Sequence, residues 1–561
     1  MTALGDLLGR LDPDPGRRGK QFERICQWFL THDPVYASEL RHVWLWDEWP
    51  GRWGADAGID LVAEDRNGQL WAIQAKAYDE ATRITKHDVD TFLAESGRSE
   101  FSFRLLIATT NLMGRTAKRT IEAQEKQASV VLLGDLDAAE VDWPGSPSDL
   151  RSRRLPPKRP RPHQREAMNA VVKGFDRADR GQMIMACGTG KTLAALFIHE
   201  KLAAERTLVL VPSLSLLAQT LREWTANSKA GFDFLPVCSD ETVADPDAAV
   251  ANTSDLGFPV TTDPQEIAAF LRKRSGPRVV FATYQSSPQI AKAFRLGRVP
   301  TFDLVIADEA HRCAGRVSSD FATILDSEKI RARRRLFMTA TPRYFTGRVV
   351  REANEADFEV ASMEDEATFG SLLHRLGFAE AIERDLLTDY QVVVVGVDDA
   401  TYLDWAQRGR FVTIDGNEVT DARSLAGQIG LAKAMRRYDL HRTITFHSRV
   451  NRAREFADSL PEVIAWIPAR QRPTGPVWSD YASGEMPAGQ RHALLQHLGR
   501  LDHVERGLLA NARCLAEGVD VPTLDSVAFI DPRRSEVDIV QAVGRRGRAC
   551  GQPCPLPAGS G

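Results

Sequence analysis

The chain has 561 residues, is 43% hydrophobic and 26% charged, and carries a formal net charge of -4. Such values fit three or four soluble compact units and give no chain-wide basic signature for nucleic acid. No apolar run reaches the ~18 residues that span a bilayer, and MTALGDLLGR lacks the charged-then-apolar order of a secretory signal. The seven scattered cysteines suit a reducing cytosol better than a disulfide framework.

Residues 1–142 read as a small α/β unit. GKQFERICQWFL predicts a helix with Phe22, Ile25, Cys26 and Phe29 on one face. DLVAEDRNGQLWAIQAK (60–76) predicts a hairpin, followed by a helix in ITKHDVDTFLAESGR and a buried strand in FRLLIATT. A last helix and a strand ending at VVLLGDL complete the unit. The hairpin carries an amide and a cation, Gln74 and Lys76, on one strand face. A two-residue Asn67-Gly68 turn would pair Asp60 with Ala75, on the wrong face for both. A three-residue loop, Arg66-Asn67-Gly68, with Gly68 left-handed, pairs Asp60 with Gln74, and that register is expected. A carboxylate then anchors Mg²⁺, an amide oxygen adds a neutral ligand, and Lys76 polarises a water near a scissile phosphate. Glu23, on the preceding helix, supplies a further carboxylate. Asp56, in the glycine-bracketed loop, reads as a turn residue.

GKQFERICQ, GADAGIDL and IQAKAY resemble the helix and two strands of the Mrr-like branch of the PD-(D/E)xK nucleases. The resemblance implies Gln74 where most relatives carry Asp or Glu. Two other readings of the hairpin stand beside an active nuclease: a relic that only binds DNA, and a strand face that merely meets solvent.

WPGSPSDLRSRRLPPKRP (143–160) reads as a basic, Pro-rich linker, solvated or touching backbone phosphates. Beyond it, the apolar strands QMIMA, TLVLVP, RVVFATY, DLVIAD and RLFMTAT alternate with helical patterns, the rhythm of a parallel sheet. A second series runs QVVVVGV, RTITFHS, RGLLANA and SVAFID. The segments 228–279, 400–425 and 465–490 read as insertions or long loops. The expected order is lobe 1 over 161–345, an inter-lobe connection over 346–385, lobe 2 over 386–549, and an irregular tail over 550–561.

QMIMACGTGKT ends a strand and opens a helix. Gly188, Thr189 and Gly190 let backbone N–H groups approach phosphates, Lys191 meets the β/γ oxygens, and Thr192 holds Mg²⁺. Met185 stands where the phosphate-loop pattern has its first glycine. FDLVIADEAH puts Asp308 and Glu309 at the carboxyl end of a buried strand, where open α/β sheets bind ligands. Asp308 can hold Mg²⁺ and Glu309 can activate the attacking water.

Residues 161–549 resemble a superfamily 2 helicase of the DEAH/restriction-subunit type. The motifs occur in order: Gln164 in RPHQREA, VPSLSLLAQ (211–219), ATYQS (282–286), DEAH (308–311), MTATPR (338–343), TFHSRV (445–450), AEGVDVP (516–522) and QAVGRRGR (541–548). The resemblance implies that Gln164 contacts adenine and that 211–219 and 282–286 contact the nucleic-acid backbone. It further implies that Thr339 and Thr341 couple hydrolysis to motion. Gly518 and Asp520 fall in the nucleotide-site motif of lobe 2, and Arg545 and Arg548 would stabilise γ-phosphate charge when the lobes close.

A Mrr-like nuclease joined to such a motor resembles the front half of the Type ISP single-chain restriction enzymes. The resemblance implies ATP and Mg²⁺ as cofactors, duplex DNA as partner, and a methyltransferase and target-recognition part alongside. The expected architecture is α/β: a small restriction-endonuclease-like domain followed by two RecA-like parallel-sheet lobes. ACGQPCPLPAGSG offers no apolar strand to finish the second lobe's sheet, so that lobe is expected to lack its last strand, as in a chain truncated or read out of frame near 546–549. The expected function is ATP-dependent DNA translocation with Mg²⁺-dependent cutting, in restriction of foreign DNA in the cytoplasm. A non-cutting DNA or RNA remodeller, and an inactive fragment, are the alternatives.

Overall fold

The structure, a computed structural model, describes residues 3–54, 58–151, 155–239, 252–274, 276–316, 320–345, 360–395, 422–483, 486, 488–512 and 524–531. It divides into two compact units. One comprises Met1–Ile184, Gly190–Arg375 and Glu485–Ala493, and the other Met185–Thr189, Leu376–Gly484 and Leu494–Gly561.

The N-terminal domain is a five-stranded sheet in chain order: β1 (Leu40–Leu45), β2 (Leu61–Asp65), β3 (Leu70–Lys76), β4 (Phe101–Ala108) and β5 (Ala128–Val131). β1 to β3 are antiparallel, whereas β4 and β5 run parallel to β3. The helix Pro15–His32 begins at an Asp14 cap, whose carboxylate accepts from the Arg17 N–H, with proline in its first turn. Its apolar stripe of Phe22, Ile25, Cys26 and Phe29 is buried against Leu61, Ala63, Trp71 and Ile73 of the sheet. Trp143, at the start of the segment expected to be linker, belongs to this core and stacks on Phe29 at 5.5 Å. Leu155 to Arg159 are exposed.

The first lobe follows in the same unit. Its strands are β6 (Arg180–Met185), β7 (Arg206–Val211), β8 (Asp233–Val237), β9 (Arg278–Thr283) and β10 (Leu304–Ala307), then, after a two-residue strand β11 (Gly315–Arg316), β12 (Arg335–Thr339). β11 pairs with β13 (Val360–Ala361), and β14 (Ser371–Leu376) closes the list. The main sheet has the order β14-β6-β12-β10-β7-β9-β8. Two expectations are corrected. The segment 228–279 is not an insertion, because it supplies edge strand β8, the helix Pro264–Arg272 and the start of β9. Likewise β14, inside the expected inter-lobe connection, forms the opposite edge.

The N-terminal domain and first lobe are fastened together. Tyr36 Oη donates to Gly257 O at 2.9 Å, and Gln127 Oε1 accepts from Val260 N at 3.1 Å. Leu256 and Phe258 are buried beside these bonds. Gly257 has φ +76°, and a Cβ there would come within 2.7 Å of Tyr36 Oη, so glycine is required twice over.

The second unit holds a parallel sheet of order β16-β17-β15-β18: β15 (Arg442–His447), β16 (Val477–Ala482), β17 (Arg506–Ala512) and β18 (Ser526–Phe529). β16 lies in 465–490, another segment expected to be loop. QVVVVGV fails as a strand over its described part: Gln391–Val395 carry no regular structure, with Val392 77% and Val394 91% exposed. Most of 400–425, and the tail whose lack of a closing strand was expected, lie outside the described residues.

Candidate nuclease and ATP sites

The hairpin takes the three-residue loop. Asp65 N donates to Gln69 O at 2.9 Å, Gly68 N donates to Asp65 O at 3.0 Å, and Gly68 has φ +80°. Asp65 Oδ1 fixes the loop further by accepting from Asn67 N and Gln69 N. Leu61 pairs with Ile73 and Val62 with Ala72, so the next pair along is Asp60 with Gln74. Asp60 is held from both sides: Trp46 N donates to Asp60 O at 2.8 Å, and Asp60 N donates to Ile73 O at 2.9 Å. Its carboxylate oxygen Oδ2 accepts from Ala75 N at 2.8 Å.

Gln74 does not face solvent. It is 4% exposed, its Nε2 donates to Gly58 O at 3.0 Å, and its Oε1 is enclosed without a hydrogen-bond partner. Lys76 follows two places on, same-faced by strand alternation. It is half-buried. Burial tends to raise the nearby Asp88 carboxyl, but hydrogen bonds from Thr85 and Tyr78, and to the least extent the Lys76 charge, hold it below its ordinary value. Glu23 points from the helix Pro15–His32, nearly buried, and bonds Lys20 Nζ at 2.9 Å. Burial raises the Glu23 carboxyl, Lys20 relieves it in part, and the nearby Asp60 and Asp47 charges push it up again. Glu23 and Asp60 therefore share one electrostatic neighbourhood, together with Lys20.

A divalent cation suits this donor set, which is two carboxylates and an amide oxygen, all hard oxygen ligands. Among the described residues no group of three or more His, Cys, Asp or Glu is placed to hold a metal. An enclosed amide oxygen without a partner costs roughly 1–3 kcal/mol, a cost that a cation on this face removes. Asp56 lies outside the described residues.

In the first lobe, β6 runs into the phosphate loop and the helix Lys191–Lys201. Gly188 and Gly190 have φ +79° and +82°, left-handed conformations that glycine adopts without strain. A Cβ on Gly190 would come within 2.4 Å of Gln164 Nε2, which itself donates to Gly190 O at 3.1 Å. Gln164 thus sits against the loop, with its Oε1 accepting from Arg161 N at 2.9 Å. Trp224 Nε1 donates to Thr192 O at 3.0 Å and steadies the first helical turn.

DEAH follows β10. Asp308 Oδ1 accepts from Glu309 N at 2.9 Å, and Glu309 adopts φ +50°, an uncommon left-handed conformation for a residue with a side chain. Lys191 Nζ lies 3.4 Å from Glu309 Oε1, and His311 Nδ1 lies 3.4 Å from Glu309 Oε2. Burial alone would raise the Glu309 carboxyl, but the Lys191 charge and the His311 contact outweigh it and hold it below the usual range, ionised at neutral pH. His311 Nδ1 also meets Thr339 Oγ1 at 3.0 Å, and Thr341 N donates to that same Oγ1 at 3.1 Å. MTATPR and DEAH are therefore one bonded cluster.

Three contacts were missed in the sequence. Lys20 pairs with Glu23 at i,i+3 spacing, which could have been read. Asp88, bonded by Tyr78 Oη at 2.8 Å, needs the fold to reach Lys76. Tyr284 Oη donates to Asp308 O at 2.6 Å and so ties ATYQS to DEAH, also a product of the fold. In the second unit Ser448 N, within TFHSRV, donates to Asp531 Oδ2 at 2.6 Å. Gly518, Asp520, Arg545 and Arg548 lie outside the described residues.

A small restriction-endonuclease-like sheet is followed in the chain by parallel-sheet, RecA-like lobes. Three families match in the same order: a restriction endonuclease over residues 31–149, the res subunit of Type III restriction enzymes over 157–344, and the helicase conserved C-terminal domain over 430–550. The chain is similar to a solved structure of the ATP-dependent Type ISP restriction-modification enzyme LlaBIII bound to DNA, at 32% identity and TM-score 0.82. That match covers 97% of this chain and 37% of the other. A "probable helicase" of African swine fever virus is 29% identical over 68% of this chain and 38% of its own length. The endonuclease subunit of the Type I restriction enzyme EcoAI of Escherichia coli is 26% identical over 43% of this chain and 25% of its own. The chain thus spans less than two fifths of the length of each relative. No helix among the described residues is long and apolar enough to cross a membrane.

Proposed function

We propose that this chain is an ATP-dependent DNA translocase with a Mg²⁺-dependent endonuclease, acting in the restriction of foreign DNA. The observation that carries the cutting half is the unpartnered Gln74 Oε1, across the strand pair from Asp60. A cation bound beside Asp60 would satisfy this enclosed acceptor. Asp60, Glu23 and Gln74 would hold the nuclease cation, and Thr192 and Asp308 the one that accompanies nucleotide. When bound, Mg²⁺ supplies Lewis-acid stabilisation of phosphate charge.

The remaining chemistry belongs to the chain. Lys76 orients a water and the scissile phosphate. In the motor, Lys191 moves from Glu309 to the nucleotide's phosphates, which frees Glu309 to take a proton from the attacking water. His311 and Thr339 hold Glu309 in place and carry its change of partner towards Thr341. Arg545, Arg548, Gly518 and Asp520 lie outside the described residues, and their nucleotide-site roles rest on the helicase resemblance alone. The Type ISP relative is a restriction-modification enzyme whose structure was solved bound to DNA. By that likeness we infer duplex DNA as the track, with a methyltransferase and target-recognition part acting alongside. The test is ATP hydrolysis by the full chain with duplex DNA, single-stranded DNA or RNA added. Stimulation by duplex DNA, with Mg²⁺-dependent cutting of the same DNA, is expected. Stimulation by RNA alone would overturn the reading.

A further inference from the structure

The nuclease site holds a second lysine that the reaction above does not use. Lys20 lies one turn before Glu23 on the helix Pro15–His32, and its Nζ is 2.9 Å from Glu23 Oε2. The two partners differ in setting: the Lys20 side chain is 68% exposed and the Glu23 side chain only 10%. The Asp47 and Asp60 carboxylates also act on the Lys20 charge. The ammonium therefore pairs with Glu23, one of the two carboxylates that would ligate a cation, and lies in the field of the other, on a largely exposed side chain.

A divalent ion bound by Glu23 and Asp60 competes with Lys20 for the Glu23 carboxylate, and it repels the ammonium. The two cations therefore oppose one another here, and a displaced ammonium is best received by another anion. Duplex DNA lying across Asp60 and Lys76 brings phosphates to this edge, about one negative charge per 1.7 Å of helix axis.

We propose that Lys20 is a latch on the nuclease cation site: it pairs with Glu23 while DNA is absent, and a DNA phosphate draws it away, so that DNA and the divalent ion bind cooperatively. This rests on the nuclease reading above. It leaves the site undersupplied with metal until DNA is engaged, which keeps the enzyme unarmed off its substrate. Linkage makes the coupling reciprocal, so the ion must tighten DNA binding by the same factor.

The test is Mn²⁺ binding to the nucleotide-free full chain by calorimetry, with and without a short duplex, in a Lys76→Met background that prevents cutting. With Lys20 present, the duplex should tighten Mn²⁺ binding about tenfold, the scale of one charge-assisted hydrogen bond released. Lys20→Gln should bind Mn²⁺ about tenfold more tightly without duplex, and gain little when duplex is added. Being exposed, Lys20→Gln is expected to fold normally. Equal or weaker Mn²⁺ binding by Lys20→Gln in the absence of DNA overturns the latch. Asp60→Asn separates the two readings. If it abolishes this binding while Lys20→Gln behaves like its parent, the latch alone fails. If it leaves binding unchanged, the cation site fails and the latch with it.

Discussion

Gln74→Met separates a ligand from a structural amide. Methionine nearly conserves the volume and removes both polar atoms. The bond from Nε2 to Gly58 O is lost, at a net cost of about 0.5–1.5 kcal/mol. The enclosed Oε1, which has no partner, is lost as well, and its removal returns roughly 1–3 kcal/mol of desolvation penalty. Metal-free stability should therefore hold within about 1 kcal/mol or rise slightly. Cation binding should weaken about tenfold, or 1.4 kcal/mol, for one oxygen ligand lost. DNA cleavage should fall at least about a hundredfold, because the ion's position is lost along with its affinity. Urea unfolding followed by tryptophan fluorescence, Mn²⁺ calorimetry and plasmid cleavage measure the three quantities. Unchanged Mn²⁺ affinity together with a clear loss of stability would refute the reasoning, since that is how a purely structural amide behaves.

Three further outcomes follow from the same geometry. Glu309→Gln keeps the shape beside Lys191 but removes the base, so steady-state ATP hydrolysis should drop by about 10²–10⁴ while nucleotide binding survives; a rate within threefold of wild type, roughly 0.65 kcal/mol, contradicts the role. Gly190→Ala must pay roughly 1–2 kcal/mol for its left-handed φ and displace Gln164 Nε2, which lies within 2.4 Å of the new Cβ; fluorescent ATP analogues should bind at least about tenfold more weakly, and normal binding would show that the loop does not need this conformation. Glu23 gives a pH dependence: its carboxyl is raised in the folded chain, by burial first and by Asp60 and Asp47. The folded state then holds this proton more tightly than the unfolded chain, so no penalty exists below the unfolded pKa of about 4.3. As pH rises above that value the penalty grows, until the raised folded value is passed. Metal-free Glu23→Gln should therefore be less sensitive than wild type to a rise from pH 4 to pH 7 in thermal unfolding, and an unaltered pH profile would count against the buried acidic pair.

What was legible in the sequence followed burial. Interior strands such as TLVLVP and DLVIAD are covered on both faces and read as unbroken apolar runs. Of the six strands that went unread, β1, β8, β14 and β16 lie at the edges of the larger sheets, and the two-residue β11 and β13 pair only with each other. Edge strands are half-solvated and tolerate polar residues and proline, as in DFLPV with Pro236. QVVVVGV erred the other way, since an apolar run does not name the neighbour that would cover it. The hairpin register was legible because the side-chain period of two leaves only two choices, and Gly68 with Asp65 selects one. The roles that hang on it were less so. Nothing local in IQAKAY says that Gln74 Oε1 ends up enclosed, and nothing in ATYQS says that Tyr284 reaches Asp308. Such contacts arise from chain segments far apart in sequence.

The central claim is one chain with two separable chemistries on DNA, and the most direct measurement follows both in one tube. ATP hydrolysis and cleavage of phage and plasmid DNA are recorded together for wild type, Lys191→Ala and Lys76→Ala, with and without Mg²⁺. Lys191→Ala should abolish hydrolysis, and Lys76→Ala should abolish cutting while DNA-stimulated hydrolysis continues at the wild-type rate. Normal cutting by Lys76→Ala would contradict the account.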